Sequence, residues 1–386
     1  MPAITRRRQS WSALALQAGF LCLLAVVLVA FLVKVHQNLA AQHVTSGFSF
    51  LWRATGWDIG YSIIPFSIRN PYWWALLAGL VNTIAVGFLG LVFATLLGLA
   101  IATMRVYGNP LIAGVAKAYV ELIRNIPPLL QLFVWYAVFT SLPPPRSAWQ
   151  PLSSLFFTAR GIYFPGLNVH WISGVVISLS LMVGFFFLIW LAFSFRLAFT
   201  PLRRRLQHAF TAVGAMLATV ILAVVLGATP DATGLIDYPA RVGLGIRGGL
   251  QLPPELAALV VATICYGSAY AGEVIRSGFL AVDAGKVEAA KALGLGSWTI
   301  FACIQMPLVI SAIMPMMTNL YVWLMKATTL GIAIGFADLF MVSVSAINQS
   351  GQTIEILLIV AVVFWMLNSL VVLLMSRIAA RFNHWT

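Results

Sequence analysis

The chain has 386 residues, of which 61% are hydrophobic and 9% are charged, and its formal net charge is +13. A soluble domain carries about 25% charged residues, so this composition excludes a globular protein that is surrounded by water. The basic residues lie in short runs between apolar segments, which is typical of membrane loops and argues against nucleic-acid binding. The cysteines and histidines lack the spacing of a metal site, and we predict neither a metal nor a cofactor.

Eight apolar segments are long enough to cross a bilayer as helices, which takes about 20 residues each. They predict an all-α membrane protein, a polytopic helical bundle. The segments are 14–33, 75–103, 114–140, 172–195, 208–227, 254–275, 307–325 and 354–376. Pro127 and Pro128 predict a break in the third segment. The first segment follows three arginines, as in a signal peptide, but it is too long for one, and we expect an uncleaved helix.

The lysines and arginines indicate which way the chain crosses the membrane. If the N-terminus is cytoplasmic, nearly twice as many of them fall on the cytoplasmic side as on the outside. An even number of spans also puts both termini on the same side. The sequence therefore predicts a multi-pass protein of a bacterial inner membrane with both termini in the cytoplasm. The outside loops are 34–74, 141–171 and 228–253, and none is long enough for a domain of its own.

The segment 276–306 is the longest predicted cytoplasmic loop, and it carries the signals of two short helices. Asp283 is placed to cap the first helix, and Gly294 is placed just after its end. The second short helix is predicted from Trp298 to Ile304. The loop is either an ordinary connector or a helical element that docks into a groove of a partner protein.

Glu288, Ala289 and Ala290 lie in the middle of the first predicted helix of this loop, and Glu288 can pair with Lys291. The Glu-Ala-Ala triplet followed by Gly294 resembles the EAA signature of ABC importer permeases. In that family the loop forms the coupling helices, which sit in a cleft of the cytoplasmic ATPase. The resemblance implies the fold of a type I ABC importer permease.

Further segments resemble the polar amino-acid branch of that family. They are Asn82-Thr83, Tyr119 to Arg124, Pro127 to Phe133, Ala269 to Arg276, and Asn319 with the run from Lys326 to Leu330. The chain is most similar to the larger permease subunit of general L-amino-acid importers. That resemblance implies an extra N-terminal helix and its loop in 1–74, a permease transmembrane domain in 75–386, and an insertion with two helices in 141–253.

The resemblance implies a permease subunit that carries amino acids by alternating access. The implied partners are an ATPase dimer at 276–306, a second and different permease chain, a periplasmic amino-acid-binding protein, the amino acid and the bilayer. The chain has no P-loop sequence, so ATP hydrolysis is expected in the separate ATPase chain. An autonomous secondary transporter is the alternative, and it would need intramembrane carboxylates such as Glu121, Glu273 or Asp338.

Two acid–base pairs lie near the cytoplasmic ends of predicted spans. Glu121 and Arg124 are three residues apart, and so are Glu273 and Arg276. Residues at this spacing can meet on one face of a helix, so each pair is expected to form an ion pair. Each pair is either part of a gate near the ATPase or an anchor that holds its helix at the interface.

Polar residues that follow the loop are candidates for a substrate path. These candidates are Asn319, Lys326, Thr328 and Thr329. Lys326 can meet the carboxylate of a substrate, or it can pair with Asp338. Anchoring at the outer membrane interface is the alternative for these two charged residues.

Overall fold

The computed structural model describes residues 11–41, 47–174, 202–227 and 234–382, together with scattered residues between 176 and 187. Helices dominate these residues. They are α1 Trp11–Ala41, α2 Tyr72–Tyr107, α3 Pro110–Asn125, α4 Pro128–Thr140, α5 Leu202–Gly227, α6 Pro254–Ala281, α7 Ala284–Ala292, α8 Ser297–Ile334, α9 Leu339–Ser350 and α10 Thr353–Phe382. The helical bundle predicted from composition is confirmed.

Five described helices are long and apolar enough to cross a membrane, namely α2, α5, α6, α8 and α10. Helices α3 and α4 make a sixth span if this bent pair is counted as one. The predicted span 14–33 lies within α1, where the stretch Ala15–Val27 is apolar but shorter than a full span. The predicted span 172–195 lies for the most part outside the described residues, so the total of eight stays a prediction.

The predicted break in the third span is confirmed, because α3 and α4 meet at an angle of 105°. Ile126 between them is extended, with φ −97° and ψ 126°, as expected for a residue that precedes a proline. The side-chain amide of Gln131 donates to the carbonyls of Ile123 and Ile126, at 2.7 and 2.8 Å. This buried glutamine thereby satisfies carbonyl groups that the break leaves without helical partners.

Small side chains let α2 and α6 pack closely in the centre of the bundle. A Cβ added at Gly98 would lie 2.7 Å from the Cβ of Ala271, and one added at Gly267 would lie 2.8 Å from the Cβ of Ala94. Both distances are too short for real side-chain atoms. Glycine and alanine at four-residue spacing on both helices therefore set this close approach, as is common between membrane helices.

Helix α8 corrects one prediction about the segment 276–306. The second short helix, expected from Trp298 to Ile304, does not stand alone but continues into the next span. It passes through a π-helical turn at Phe301–Gln305 and then runs on as an α-helix over Met306–Ala327. Pro307 lacks the N–H that a regular helix would use, which explains the wider turn just before it.

Residues 149–252 add short strands that the sequence did not predict. The strands are β1 Trp149–Leu152, β2 Leu155–Thr158, β3 Gly161–Phe164, β4 Gly166–Leu167, β5 Ile236–Asp237, β6 Ala240–Val242, β7 Gly245–Arg247 and β8 Leu250–Leu252. The main sheet is antiparallel in the order β1-β2-β3-β8. Ile162 of β3 pairs with Leu252 of β8. This pairing hydrogen-bonds the first part of the predicted insertion to its last residues, just before α6 begins.

Asn82 of α2 is fully buried and joins three parts of the chain. Its amide nitrogen donates to the carbonyls of Tyr61 and Ala337, at 3.1 and 2.8 Å, and its oxygen accepts from the N–H of Ile63 at 3.1 Å. The neighbouring Thr83 hydroxyl accepts from the N–H of Leu339 at 2.9 Å. These bonds hold the turn between α8 and α9 against α2.

Candidate functional site

The first helix of the 276–306 segment has the caps that the sequence predicted. A carboxylate oxygen of Asp283 accepts from the N–H of Gly285 at 2.9 Å, which caps the start of α7. Gly294 has φ +74°, and its N–H donates to the carbonyl of Lys291 at 2.9 Å. The next N–H donates to the carbonyl of Ala290 at 3.2 Å. These two bonds form a Schellman motif, which ends the helix sharply.

This segment exposes three large apolar side chains beside its charged ones. Leu280, Leu293 and Trp298 are 64%, 80% and 72% exposed. Ala290 is buried, whereas Glu288 is exposed. The predicted ion pair between Glu288 and Lys291 is wrong, because the described structure forms no bridge between them. The acidic side chain of the triplet is therefore free to meet another molecule.

Glu273 in α6 lies at the centre of a charged cluster. Its carboxylate accepts from Arg276 one helical turn away, with an Nη2–Oε1 distance of 2.5 Å, which confirms the predicted pair. Its other oxygen accepts from Arg105 of α2. No sequence pattern indicated the second contact, since Arg105 and Glu273 are 168 residues apart. The cluster ties the ends of α2 and α6 together.

The other predicted pair, Glu121 with Arg124, is wrong. Glu121 pairs instead with Lys117, at 3.6 Å and in an exposed position on α3. The guanidinium of Arg124 lies over the ring of Tyr270 in α6, 4.9 Å from the ring centre. Both partners of Glu121 were possible at helical spacing, and Arg124 makes a cation–π contact with Tyr270 instead.

The polar residues of α8 divide into an exposed and a buried set. Asn319 and Lys326 are exposed, and their seven-residue separation puts them on one face of the helix. The hydroxyl of Thr329 donates to the carbonyl of Lys326 at 2.8 Å. Thr328 is fully buried, and its hydroxyl donates to the carbonyl of Met325 at 2.9 Å. Three of the four candidates thus lie at or near an accessible surface.

Asp338 does not pair with Lys326 in the described structure, so the ion pair that the sequence allowed between these two residues does not form. Asp338 is fully buried between α8 and α9, and one of its oxygens caps α9 by accepting from the N–H of Met341 at 2.8 Å. The other oxygen finds no hydrogen-bond partner among the described residues. Burial raises the pKa of Asp338 to about 7.

Comparison with known proteins places this arrangement in a family. The family described as "Binding-protein-dependent transport system inner membrane component" matches residues 251–384. AapQ, a general L-amino acid transport system permease protein of Rhizobium johnstonii, is 34% identical over 345 residues, which is 89% of this chain and 85% of AapQ. YhdX of Escherichia coli, named as an amino-acid ABC transporter permease protein, is 35% identical over 350 residues, 88% of this chain and 86% of YhdX.

A solved structure of an amino acid ABC transporter with histidines contains a chain that is 21% identical, with a TM-score of 0.45 over 80% of this chain and 95% of that chain. From the sequence relatives, the protein is an inner-membrane permease subunit of a binding-protein-dependent ABC transporter. Within that class it belongs to the amino-acid ABC transporter permeases, which confirms the resemblance found in the sequence. It is a transport subunit rather than an enzyme, and these relatives give no support to an autonomous secondary transporter.

Proposed function

We propose that this chain forms half of the membrane channel of an importer that carries amino acids into the cytoplasm. The support is the family membership, since AapQ is named for general L-amino acid transport. Such an importer has a separate ATPase subunit and a substrate-binding protein. In our proposal the other half of the channel is a different permease chain, and both termini of this chain are cytoplasmic.

The surface of the 276–306 segment is the observation that carries the proposal. It exposes Leu280 in the last turn of α6, Leu293 at the end of α7 and Trp298 in the first turn of α8, and two caps fix the ends of α7 between them. Fully burying one such side chain contributes about 1.5–3 kcal/mol to association. We infer that a groove of the ATPase receives this surface, with Glu288, Ala289, Ala290 and Gly294 at the contact. ATP binding would then move the membrane helices through it.

The exposed face of α8 is the best-supported wall of the substrate path. Asn319 and Lys326 offer an amide and a cation along one line of this helix, and Thr329 lies near its end. An amino acid carries a carboxylate that Lys326 can bind in its charged form. Thr328 contributes packing behind this face, because it is fully buried. The second permease chain would supply the opposite wall.

The charged cluster around Glu273 supports a gate at the end of the bundle that carries the 276–306 segment. Arg105 belongs to α2, whereas Glu273 and Arg276 belong to α6, so the ion pairs bridge two helices. Arg124 adds a contact from α3 to α6. Relative movement of these helices would break the bridges. In this proposal the strands of the 141–253 insertion face the periplasm, on the side of the binding protein, while its helices lie in the membrane.

Substitutions on the exposed leucines test the docking surface. We expect Leu293→Asp to weaken ATPase binding and ATP-driven amino-acid uptake by about tenfold or more, because it removes apolar contact and adds a charge that must lose its water. The matched control is Leu244→Asp, since Leu244 is 67% exposed in the loop between β6 and β7. The measurements are co-purification of the ATPase and uptake by proteoliposomes that hold the complete transporter.

The control variant should keep both ATPase binding and uptake within about twofold of wild type, because it leaves the docking surface intact. If Leu293→Asp binds the ATPase and transports as well as Leu244→Asp does, the 276–306 segment is only a connector. The proposed coupling role would then be wrong.

A further inference from the structure

A polar pocket of about 440 Å³ lies between α2, α3 and α6, beside the charged cluster. Its lining includes Arg105, Arg124, Asn125, Tyr270 and Glu273. A pocket of this size falls within the range of roughly 300–1,000 Å³ that is typical of small-molecule sites. Its wall is mostly polar, although Val120 also lines it, and this distinguishes it from the apolar grooves that membrane helices leave for lipid chains.

The charges around this pocket do not balance. Arg105 and Arg276 share the single carboxylate of Glu273, which leaves one positive charge in excess. Arg124 forms no ion pair with any carboxylate in the described part of the chain, which adds a second. Glu121 also lines the pocket, but its charge is offset by Lys117. The lining itself holds two arginines and two glutamates, and the excess of two positive charges comes from Arg276 and Lys117, which pair with these glutamates from outside the lining. This excess favours an anionic occupant.

Arg124 is held in a fixed orientation. Its guanidinium lies on the ring of Tyr270, which lies 4.7 Å from the ring of Tyr266 between ring centres. Tyr266 in turn stacks on Trp323 of α8, also at 4.7 Å. A guanidinium that rests on an aromatic face can still direct its N–H groups to a carboxylate or phosphate. The same stack connects the pocket to the helix that carries Asn319.

We propose that this pocket binds an oxyanion, and that its occupant is the carboxylate of a free amino acid. The identity of the occupant rests on the proposed function, whereas the anion site rests on the charges and the cavity. Arg124 is the binding residue, with Arg105 and Asn125 beside it. Because two positive charges are in excess, an amino acid with a second carboxylate binds more tightly than its amide analogue.

A phospholipid phosphate has the same chemistry, but the surroundings favour a solute. A lipid would need an apolar continuation of the site for its acyl chains. The apolar groove between α2 and α3 is a different cavity, lined by Leu97, Met104 and Leu111 among others. Ile101 and Ala116 of that groove pack with Val120, which lines the polar pocket, so this apolar cluster lies between the two cavities.

Binding of radiolabelled L-glutamate and L-glutamine to the full chain tests the proposal. The chain is placed in nanodiscs of phosphatidylcholine, with and without phosphatidylglycerol, and binding is measured by scintillation proximity. We expect L-glutamate to bind more tightly than L-glutamine, and Arg124→Gln to weaken both by about tenfold. Arg124→Lys should restore part of the affinity, since it keeps the charge but loses the planar fork.

The matched control is Lys286→Gln, which removes one positive charge from an exposed position on α7, away from the pocket lining. It should bind both amino acids within about twofold of wild type. Equal binding by Arg124→Gln and Lys286→Gln would overturn the proposal. A second outcome would also overturn it: phosphatidylglycerol abolishes amino-acid binding, and wild type retains that lipid while Arg124→Gln does not. The occupant would then be a lipid phosphate.

Uptake by the complete transporter separates this proposal from the proposed function. If the wild-type transporter takes up amino acids while Arg124→Gln leaves binding to the chain unchanged, the pocket assignment fails and the importer stands. If Arg124 binds L-glutamate but the complete transporter moves no amino acid, the anion site stands and the importer fails.

Discussion

Replacing Gly294 with alanine tests the helix end that shapes the 276–306 segment. Gly294 has φ +74°, and a Cβ at this position would meet no atom within 4 Å. The substitution therefore adds no clash, and its cost comes from the left-handed backbone alone, about 1 kcal/mol. That energy favours opening of the two hydrogen bonds that end α7. A change of about 1 kcal/mol alters an equilibrium by roughly fivefold.

We therefore expect Gly294→Ala to weaken binding of the ATPase by up to about fivefold, with a matching fall in ATP-driven uptake. Gly296→Ala is the control, because Gly296 has φ −67° and also has open space where a Cβ would stand. Gly294→Asn should lie between them, since asparagine tolerates the left-handed conformation better than alanine does. The assay is titration of the purified ATPase onto the permease in nanodiscs.

If Gly294→Ala and Gly296→Ala bind the ATPase equally well, the end of α7 does not shape the docking surface. The same titration at two temperatures checks that both variants are folded. A loss that appears in both variants would show that any side chain in this turn disturbs docking, and the left-handed backbone would not be its cause.

Three further predictions address topology, packing and pH. Ser147→Cys should react with an impermeant thiol reagent added from the periplasm, and Ser297→Cys only with reagent added from the cytoplasm. The reverse labelling pattern would contradict the proposed orientation. Gly98→Val should lower the melting temperature far more than Gly114→Val, because a Cβ added at Gly98 would lie 2.7 Å from its nearest neighbour and one added at Gly114 would have no neighbour within 4 Å. Equal melting temperatures would contradict the close packing of α2 and α6. Asp338→Asn should gain stability over wild type as the pH rises from 4 to about 7, because in this range the unfolded wild type loses the Asp338 proton while the folded protein, with its pKa raised from 3.8 to about 7, keeps it. A pH-independent difference would refute this.

Local rules account for the parts of the site that the sequence predicted. The caps of α7 depend on Asp283 and Gly294, which act within a few residues of their own positions. The break at Pro127 follows from the missing N–H and from the effect of proline on the residue before it. The pair of Glu273 and Arg276 follows from helical spacing.

Contacts between distant segments account for what the sequence did not predict. Arg105 reaches Glu273 from another helix, and no periodicity within α2 points to that partner. Glu121 had basic residues at allowed helical spacings on both sides, and tertiary contact with Tyr270 decided which one it meets. The strands of residues 149–252 are two to four residues long, so they leave little alternation to detect, and two of their pairings, β3 with β8 and β4 with β5, join residues that are far apart in the chain.

Amino-acid uptake by the reconstituted transporter tests the central claim most directly. Proteoliposomes would hold this chain with its ATPase, its partner permease and the binding protein, and radiolabelled L-amino acids would be supplied on the side of the binding protein. We predict accumulation that needs ATP on the side of the ATPase and stops when the ATPase is left out. Accumulation by this chain alone, driven by a proton or sodium gradient without ATP, would contradict its role as a subunit of an ATP-driven importer.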